Sequence, residues 1–299
     1  MILLGSDPEI MAFDASNAVL PAWEWLPPEP TPKNPSLVHA YWDGVQAEIS
    51  CPPARDAIAL TRSIRDGLRI AHNALARTYP NGYLATRDVV RLSPDLLTSA
   101  PDAAIMLGCA PSANAYNIPP IDIGDPRAHP LRYSGSHYHY STDGEVPRWW
   151  PEGTVVVMDK LLGVVLTSLG RGLEDRRRRV AYGRPGEFRV AGKRLEYRTP
   201  GSFLLASPSL FRFAADFGRL AFELSLQHPP SALDLPDVTD AITNCDADWC
   251  SVRLREHHAL FMPLVKRVAT KHNIWWDALL HGAWHTRLTD KKVSEAWNL

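Results

Sequence analysis

Three short stretches place reactive side chains at alternate positions: Asp7 and Glu9, His137 and His139, and Glu196 and Arg198. Alternate side chains on a β-strand leave the same face of a sheet. If each stretch is a strand, one face presents two carboxylates, two imidazoles, and a carboxylate beside a guanidinium. Carboxylates with an imidazole make a mixed oxygen and nitrogen donor set suited to Mg2+ or Mn2+, and a planar guanidinium clamps phosphate oxygens bidentately. Together they are the parts of a metal-nucleotide site. Singly, each has a plainer explanation: His-x-His can be structural, an acid and base on one strand face can neutralise each other, and Asp7 can close an Asx turn.

The elements that must position these residues follow from patterning. Met1 to Asp7 has no basic leader and reads as a buried first strand. The proline-rich stretch Ala22 to Pro35, with two tryptophans, reads as a loop over the sheet edge or site mouth whose indoles form a lid. Tyr41 to Ser50 is a turn into a strand, with Asp43 and Glu48 candidates for one polar face. Ala54 to Thr78 carries Ile58, Ile64, Leu68, Ala71 and Leu75 at helical intervals. Short strands are expected at Asp88–Leu92 and Ile105–Cys109, and a strand carrying the histidines at Leu131–Ser141. Helices are expected over Thr154–Arg171 and Pro208–Gln227, with more from Asp248 onward. Tyr182 to Arg189 is a glycine-rich loop leading to the Glu196 strand. The run Arg176 to Arg179 has the ordinary explanation of a solvated helix end, with one or two members, Arg179 among them, directed at ligand.

Strands first, long helices between them and helices last favour an α+β fold, with an antiparallel sheet forming the active-site face and helices behind it. The expected division is a catalytic domain over 1–228 and a helical extension over 229–299 packed on it. No GxGxxG or Walker pattern argues for a doubly wound sheet. With 32 basic against 33 acidic residues there is no global field, so neither general nucleic-acid binding nor membrane-surface binding is signalled. The apolar run Val155–Leu169 is too short to span a bilayer. Four cysteines without a CxxC pair favour reduced thiols in the cytoplasm and exclude zinc-finger readings; Cys51 and Cys109 read as packing residues.

Six blocks in order, Gly-x-Asp-Pro-Glu-Ile from Gly5, Asp-Gly-x-x-x-Glu-Ile from Asp43, Gly-Cys-x-Pro-x-x-Asn-Ala from Gly108, Arg-x-x-Gly-x-His-x-His from Arg132, Tyr-Gly-x-x-Gly-Glu-Phe-Arg from Tyr182 and Glu-Tyr-Arg-Thr from Glu196, resemble the phage-type carboxylate-amine ligases. These belong to the glutamine synthetase and glutamate-cysteine ligase superfamily, and the resemblance covers about residues 1 to 210. Where relatives have Gly-Gly-His-Ile-His, this chain has Ser136 and Tyr138, and it has Ala110 where the Gly-Cys-Asp-Pro acid stands. Tyr138 should face the core.

The resemblance implies an enzyme that uses ATP with Mg2+ or Mn2+ to phosphorylate a carboxylate, which an amine then attacks to form an amide. It implies Asp7, Glu9, Glu48, His137 and Glu196 as metal ligands, and His139 as a substrate-side or nucleotide-side neighbour. Arg184 and Arg198 would contact the transferred phosphoryl group. Arg132, Glu187 and Arg189 are second-rank members, Glu187 on the catalytic side and Arg132 and Arg189 with Arg179 on the nucleotide. Partners are then small-molecule or peptide carboxylates and amines, a homo-oligomer is left open, and the location is a host-cell cytoplasm if the chain is phage-encoded. The same ligands would also serve a metal-dependent hydrolase, a guanidino-type phosphotransferase or an inactive nucleotide-binding protein.

Overall fold

The computed structural model describes residues 1–105, 112–122, 124–272 and 292–299. Its strands are β1 (Ile2–Phe13), β2 (His39–Asp43), β3 (Gln46–Ser50), β4 (Tyr83–Ala85), β5 (Val89–Arg91), β6 (Ala113–Asn114), β7 (Leu131–Tyr133), β8 (Ser136–Thr142), β9 (Glu187–Ala191) and β10 (Arg194–Tyr197). Eight form one sheet in the order β2-β3-β1-β8-β10-β9-β6, with β4 paired to the far end of β1, while β5 and β7 make a separate pair. All these pairings are antiparallel. With the helices behind the sheet this is the expected α+β fold.

Register decides what meets what. Asp7 faces His137; Gly5 faces His139, which faces Glu196, which faces Arg189. On the other flank Glu9 faces Glu48, which faces Tyr41. The intervening residues turn to the opposite face, because the side-chain period of a strand is two. Tyr138, Tyr140, Leu195 and Tyr197 are fully buried there, each burial contributing about 1.5–3 kcal/mol. Tyr138 packs on Phe211 and donates its hydroxyl to that residue's carbonyl at 3.0 Å, so the expectation that it faces the core holds and its polar tip is satisfied. The helices Ala57–Thr78 and Pro208–Gln227 cover this face.

Several expectations need correction. The buried stripe of Ala57–Thr78 runs through Leu60, Ile64, Leu68, Ala71 and Leu75, and Ile58 is exposed, one position off that stripe. The Thr154–Arg171 helix is instead Glu152–Met158 and Val164–Leu169 joined by a π-helical turn at Asp159–Gly163. Ile105 ends a short helix, Asp102–Ile105, rather than starting a strand, and the remainder of that expected strand, with Cys109 and Ala110, lies outside the described residues. The tryptophans form no lid: Trp25 is buried and donates to Leu20, and Trp23 packs against a small core around Met11 and Phe13. At the C-terminal tip, Trp297 is buried edge-on to Phe211 and donates to the Leu205 carbonyl at 2.6 Å. Among the described residues no helix is long and apolar enough to cross a membrane.

Candidate active site

The rows of the sheet bring two groups of donor atoms together on the face opposite Tyr138, Tyr140, Leu195 and Tyr197. One oxygen or nitrogen each from Asp7, His139 and Glu196 lies within 4.8 Å of the other two, and the same holds for Glu9, Asp43 and Glu48. His137 joins the first group from beside it, its Nδ1 3.5 Å from Asp7 Oδ1 and 3.8 Å from Glu196 Oε1. His139 Nε2 stands 3.1 Å from Asp7 Oδ2. The absence of a side chain at Gly5, opposite His139, makes the space: a Cβ there would lie 3.2 Å from the His139 Cβ. Arg198, just past the end of β10, pairs with Glu196 Oε1, and Arg189 approaches that oxygen to 3.6 Å from β9.

Glu9 is fixed on both oxygens. Oε2 accepts the Gly135 N–H at 2.7 Å and Oε1 accepts the Tyr182 hydroxyl at 2.7 Å. The Tyr182 ring lies 5.2 Å from the Arg198 guanidinium and meets His137 edge-on at 5.5 Å, so this one ring touches three members of the site. Tyr41 donates to Glu48 across β2 and β3.

Electrostatics divides the two groups. Burial, then the Asp43 charge, pushes Glu9 up to about 8. Burial also raises Asp43, and burial with the charges of Asp7 and Asp43 holds Glu48 well above the ordinary glutamate value. These three carboxylates repel one another in a desolvated place. Burial alone would raise Asp7 too, but the His139 charge and the hydrogen bonding of both imidazoles outweigh it and hold Asp7 well below the usual range. Burial lowers His139, but the Asp7 charge and hydrogen bond together with the Glu196 charge outweigh it, and the imidazole is raised. His137 is lowered to about 4 by burial and the Arg198 charge, so it is neutral near pH 7 with a lone pair to give.

The donor set fits a divalent cation. Three crowded carboxylates whose proton affinity is raised, and a buried His137 whose Nε2 has no hydrogen-bond partner among the described residues, are what a hard cation with oxygen ligands and one imidazole would satisfy. A cavity of about 300 Å³ opens from Asp7, His139 and Glu196 past Lys33, Pro35 and Arg194. The proline-rich loop therefore does reach the mouth, through Lys33 and Pro35 rather than its indoles.

Four sequence-predicted residues are placed elsewhere. Arg184 binds Glu187 at 2.7 Å and the carbonyls of Ile118 and Pro119, while Glu187 also accepts the Gly183 N–H at 2.7 Å. The pair clamps the glycine-rich loop, with the Arg184 guanidinium already taken up by protein acceptors. Arg132 binds the carbonyls of Pro126, His129, Leu131 and Ile105 on β7, outside the main sheet. Arg179 is fully buried, paired with Glu174 and bound to the carbonyls of Gly183 and Thr199. The arginine run is thus no solvated helix end at its second half, since Arg178 is buried as well. His139 forms the three-atom group with Asp7 and Glu196, and His137 stands beside it, so both imidazoles border the same donors.

Sequence reasoning left Tyr182 and Tyr41 unassigned and gave Asp43 no ligand role. Asp43 had a signal, its spacing of two from Tyr41 on a strand; Tyr182 had none beyond its place in the glycine-rich block. Cys51 touches the cavity, but burial pushes its thiol up to about 12 and Sγ is directed at the Ser6 carbonyl, in keeping with a packing role.

No curated protein matches the chain. Residues 134–282 match the family described as Phage phiEco32-like COOH.NH2 ligase-type 2. The match starts at the turn into β8, takes in the histidine, glycine-rich and Glu-x-Arg blocks, and runs beyond the residue-210 limit of the motif resemblance; the β1 and β3 carboxylates lie outside it and are joined to it by the sheet. The match, and the residues it contains, support a phage-type carboxylate-amine ligase.

Proposed function

We propose that this ligase is ATP-dependent and works through an acyl phosphate, with Mg2+ or Mn2+ held by the two groups of donors. The observation that carries the reading is the presence, on one sheet face, of two adjoining ligand groups, Glu9 with Asp43 and Glu48, and Asp7 with His139 and Glu196. A bound divalent cation would neutralise phosphate charge and orient an in-line transfer. Asp7, kept ionised, and His137, kept neutral, are in the protonation states that ligands require near pH 7. Arg198 and Arg189 supply positive charge on the β10 side, where charge develops on a phosphoryl group in flight. Lys33 and Arg194, on the cavity wall, would draw in an anionic substrate.

In this scheme a carboxylate oxygen attacks the γ-phosphorus and ADP leaves. The amine nitrogen then attacks the acyl carbon, loses a proton, and phosphate departs with the former carboxylate oxygen. The test is incubation with ATP, Mg2+ and pools of carboxylates and amines, with mass spectrometry for condensation products. An 18O label in the carboxylate should appear in inorganic phosphate, one atom per amide formed. Release of AMP and pyrophosphate would replace the acyl phosphate with an adenylate. Failure to bind Mg2+-ATP, together with an unaffected Glu196→Ala variant, would end the reading.

A further inference from the structure

Arg178 lies in the described core with no exposure, yet it is bound mainly to backbone oxygens of two chain segments. Its Nε donates to the Ser134 carbonyl at 2.5 Å, Nη1 to Thr199 at 2.9 Å, and Nη2 to Pro200 at 2.8 Å and Arg198 at 3.4 Å. Ser134 sits just before β8, which carries His137, and residues 198–200 sit just after β10, which carries Glu196. The two segments also touch directly, Ser136 N–H donating to Pro200 at 3.0 Å. We propose that Arg178 is a positioning residue of the active site: its guanidinium holds the start of β8 and the end of β10 at the spacing that places His137, Arg198 and Tyr182 around the donor groups.

Three features support this. The rigid five-donor fork of a guanidinium spans carbonyls of separate segments in a fixed plane, where an ammonium offers three donors from a single point. Two glycines of the sequence blocks make room for it: a Cβ at Gly135 would collide with Nη2, and one at Gly183 would lie 2.7 Å from Cζ. The Tyr182 ring, 5.5 Å from the Arg178 guanidinium on one side and 5.2 Å from that of Arg198, carries the brace on to Glu9 through its hydroxyl. Arg178 binds no member of the two donor groups itself, and its charge is offset by buried Asp88 and Glu174. It acts through what it holds.

The kinetic arm of the test rests on the proposed ATP-dependent ligation; the exchange arm does not. Arg178→Lys is compared with Leu254→Ala, a core truncation in the helix Ala247–Glu256, by turnover, thermal unfolding and amide hydrogen exchange. In Arg178→Lys, exchange at Gly135 and Ser136 should quicken and turnover fall, each by about tenfold or more, in the range for residues that orient ligands. KM for ATP should stay within about twofold. Leu254→Ala should lower the unfolding temperature without either local effect. Unchanged exchange at Gly135 and Ser136, or an equal turnover loss in Leu254→Ala, overturns the proposal. Should Arg178→Lys fail to fold, Gly183→Ala presses on Cζ while keeping the charge: faster exchange at the same two amides supports the role, and unchanged exchange overturns it. If the wild-type protein makes no amide, the ligation mechanism fails and the exchange result alone decides the role of Arg178.

Discussion

Asp7 and His139 stand 3.1 Å apart with opposite shifts, the carboxyl held well below its ordinary value and the imidazole raised above its own. A depressed acid stabilises above its unfolded pKa and loses that contribution as pH falls; a raised histidine stabilises below its unfolded pKa and loses it as pH rises. With ordinary values of 3.8 and 6.5, the pair contributes most between those two pH values. Asp7→Asn in metal-free buffer should therefore cost most stability in that window and progressively less as pH rises past the folded value of His139. Thermal unfolding of both proteins across pH checks this, and a loss that does not vary with pH would contradict it. On the proposed mechanism turnover should drop by about a hundredfold or more, since Asp7 would be a ligand to the cation.

Glu9 makes the opposite prediction. Its pKa rises from 4.5 to about 8, so over that range the native state binds more protons than the unfolded one, and metal-free stability should fall as pH rises from about 4.5 to about 8. A cation would take the place of those protons. Adding Mn2+ should raise the unfolding free energy more at pH 8 than at pH 5, reaching about 2.7 kcal/mol at pH 8 once it exceeds its dissociation constant there about a hundredfold. Glu9→Gln should remove most of the pH dependence, and a rise of the same size at every pH would count against a cation at this group.

Asp159 lies at the π-helical turn, fully buried, and accepts from the Gly186 N–H at 2.6 Å and the Tyr197 hydroxyl at 2.5 Å. It ties the glycine-rich loop to the back of β10. Asn offers one acceptor oxygen where both carboxylate oxygens are in use, so Asp159→Asn should cost roughly 1–3 kcal/mol. Exchange at Gly186 should quicken before global unfolding does; denaturant titration with residue-resolved exchange measures both, and unchanged exchange at Gly186 would remove the tether.

Gly67 tests the packing of the helix Ala57–Thr78 on the sheet. Ala is the better helix former by about 1 kcal/mol, yet a Cβ at position 67 would collide with Ile49 Cγ2 on β3. Overpacking of a full core costs about 1–3 kcal/mol, so Gly67→Ala should destabilise on balance. Gly67→Ala combined with Ile49→Val, which removes a methyl group, should recover part of the loss. Greater stability in Gly67→Ala would mean that the helix stands off the sheet.

The legible part of the site was the part written in alternation. Asp7 with Glu9, His137 with His139, and Glu196 with Arg198 share a face because successive side chains of a strand oppose one another, and that rule needs no knowledge of neighbouring strands. The same rule sent Tyr138 to the core, where the structure also places Tyr197. Three of the arginines were not legible. Arg132, Arg179 and Arg184 have the right charge for a phosphate, but each is engaged by backbone carbonyls or a carboxylate of the fold.

The sequence by itself determined the α+β class, the faces of the three reactive strands and, through its blocks, the ligase family. Only the tertiary structure decided that β1 lies between β3 and β8, and so that Glu9 groups with Asp43 and Glu48 while Asp7 groups with His139 and Glu196. It also decided that Arg178 braces the site while Arg198 stays in it. Side-chain alternation is local, fixed by backbone geometry within one strand. Strand order and the choice of acceptor for a guanidinium depend on contacts far apart in the chain, and since every residue carries a carbonyl, no residue type marks those that will be used.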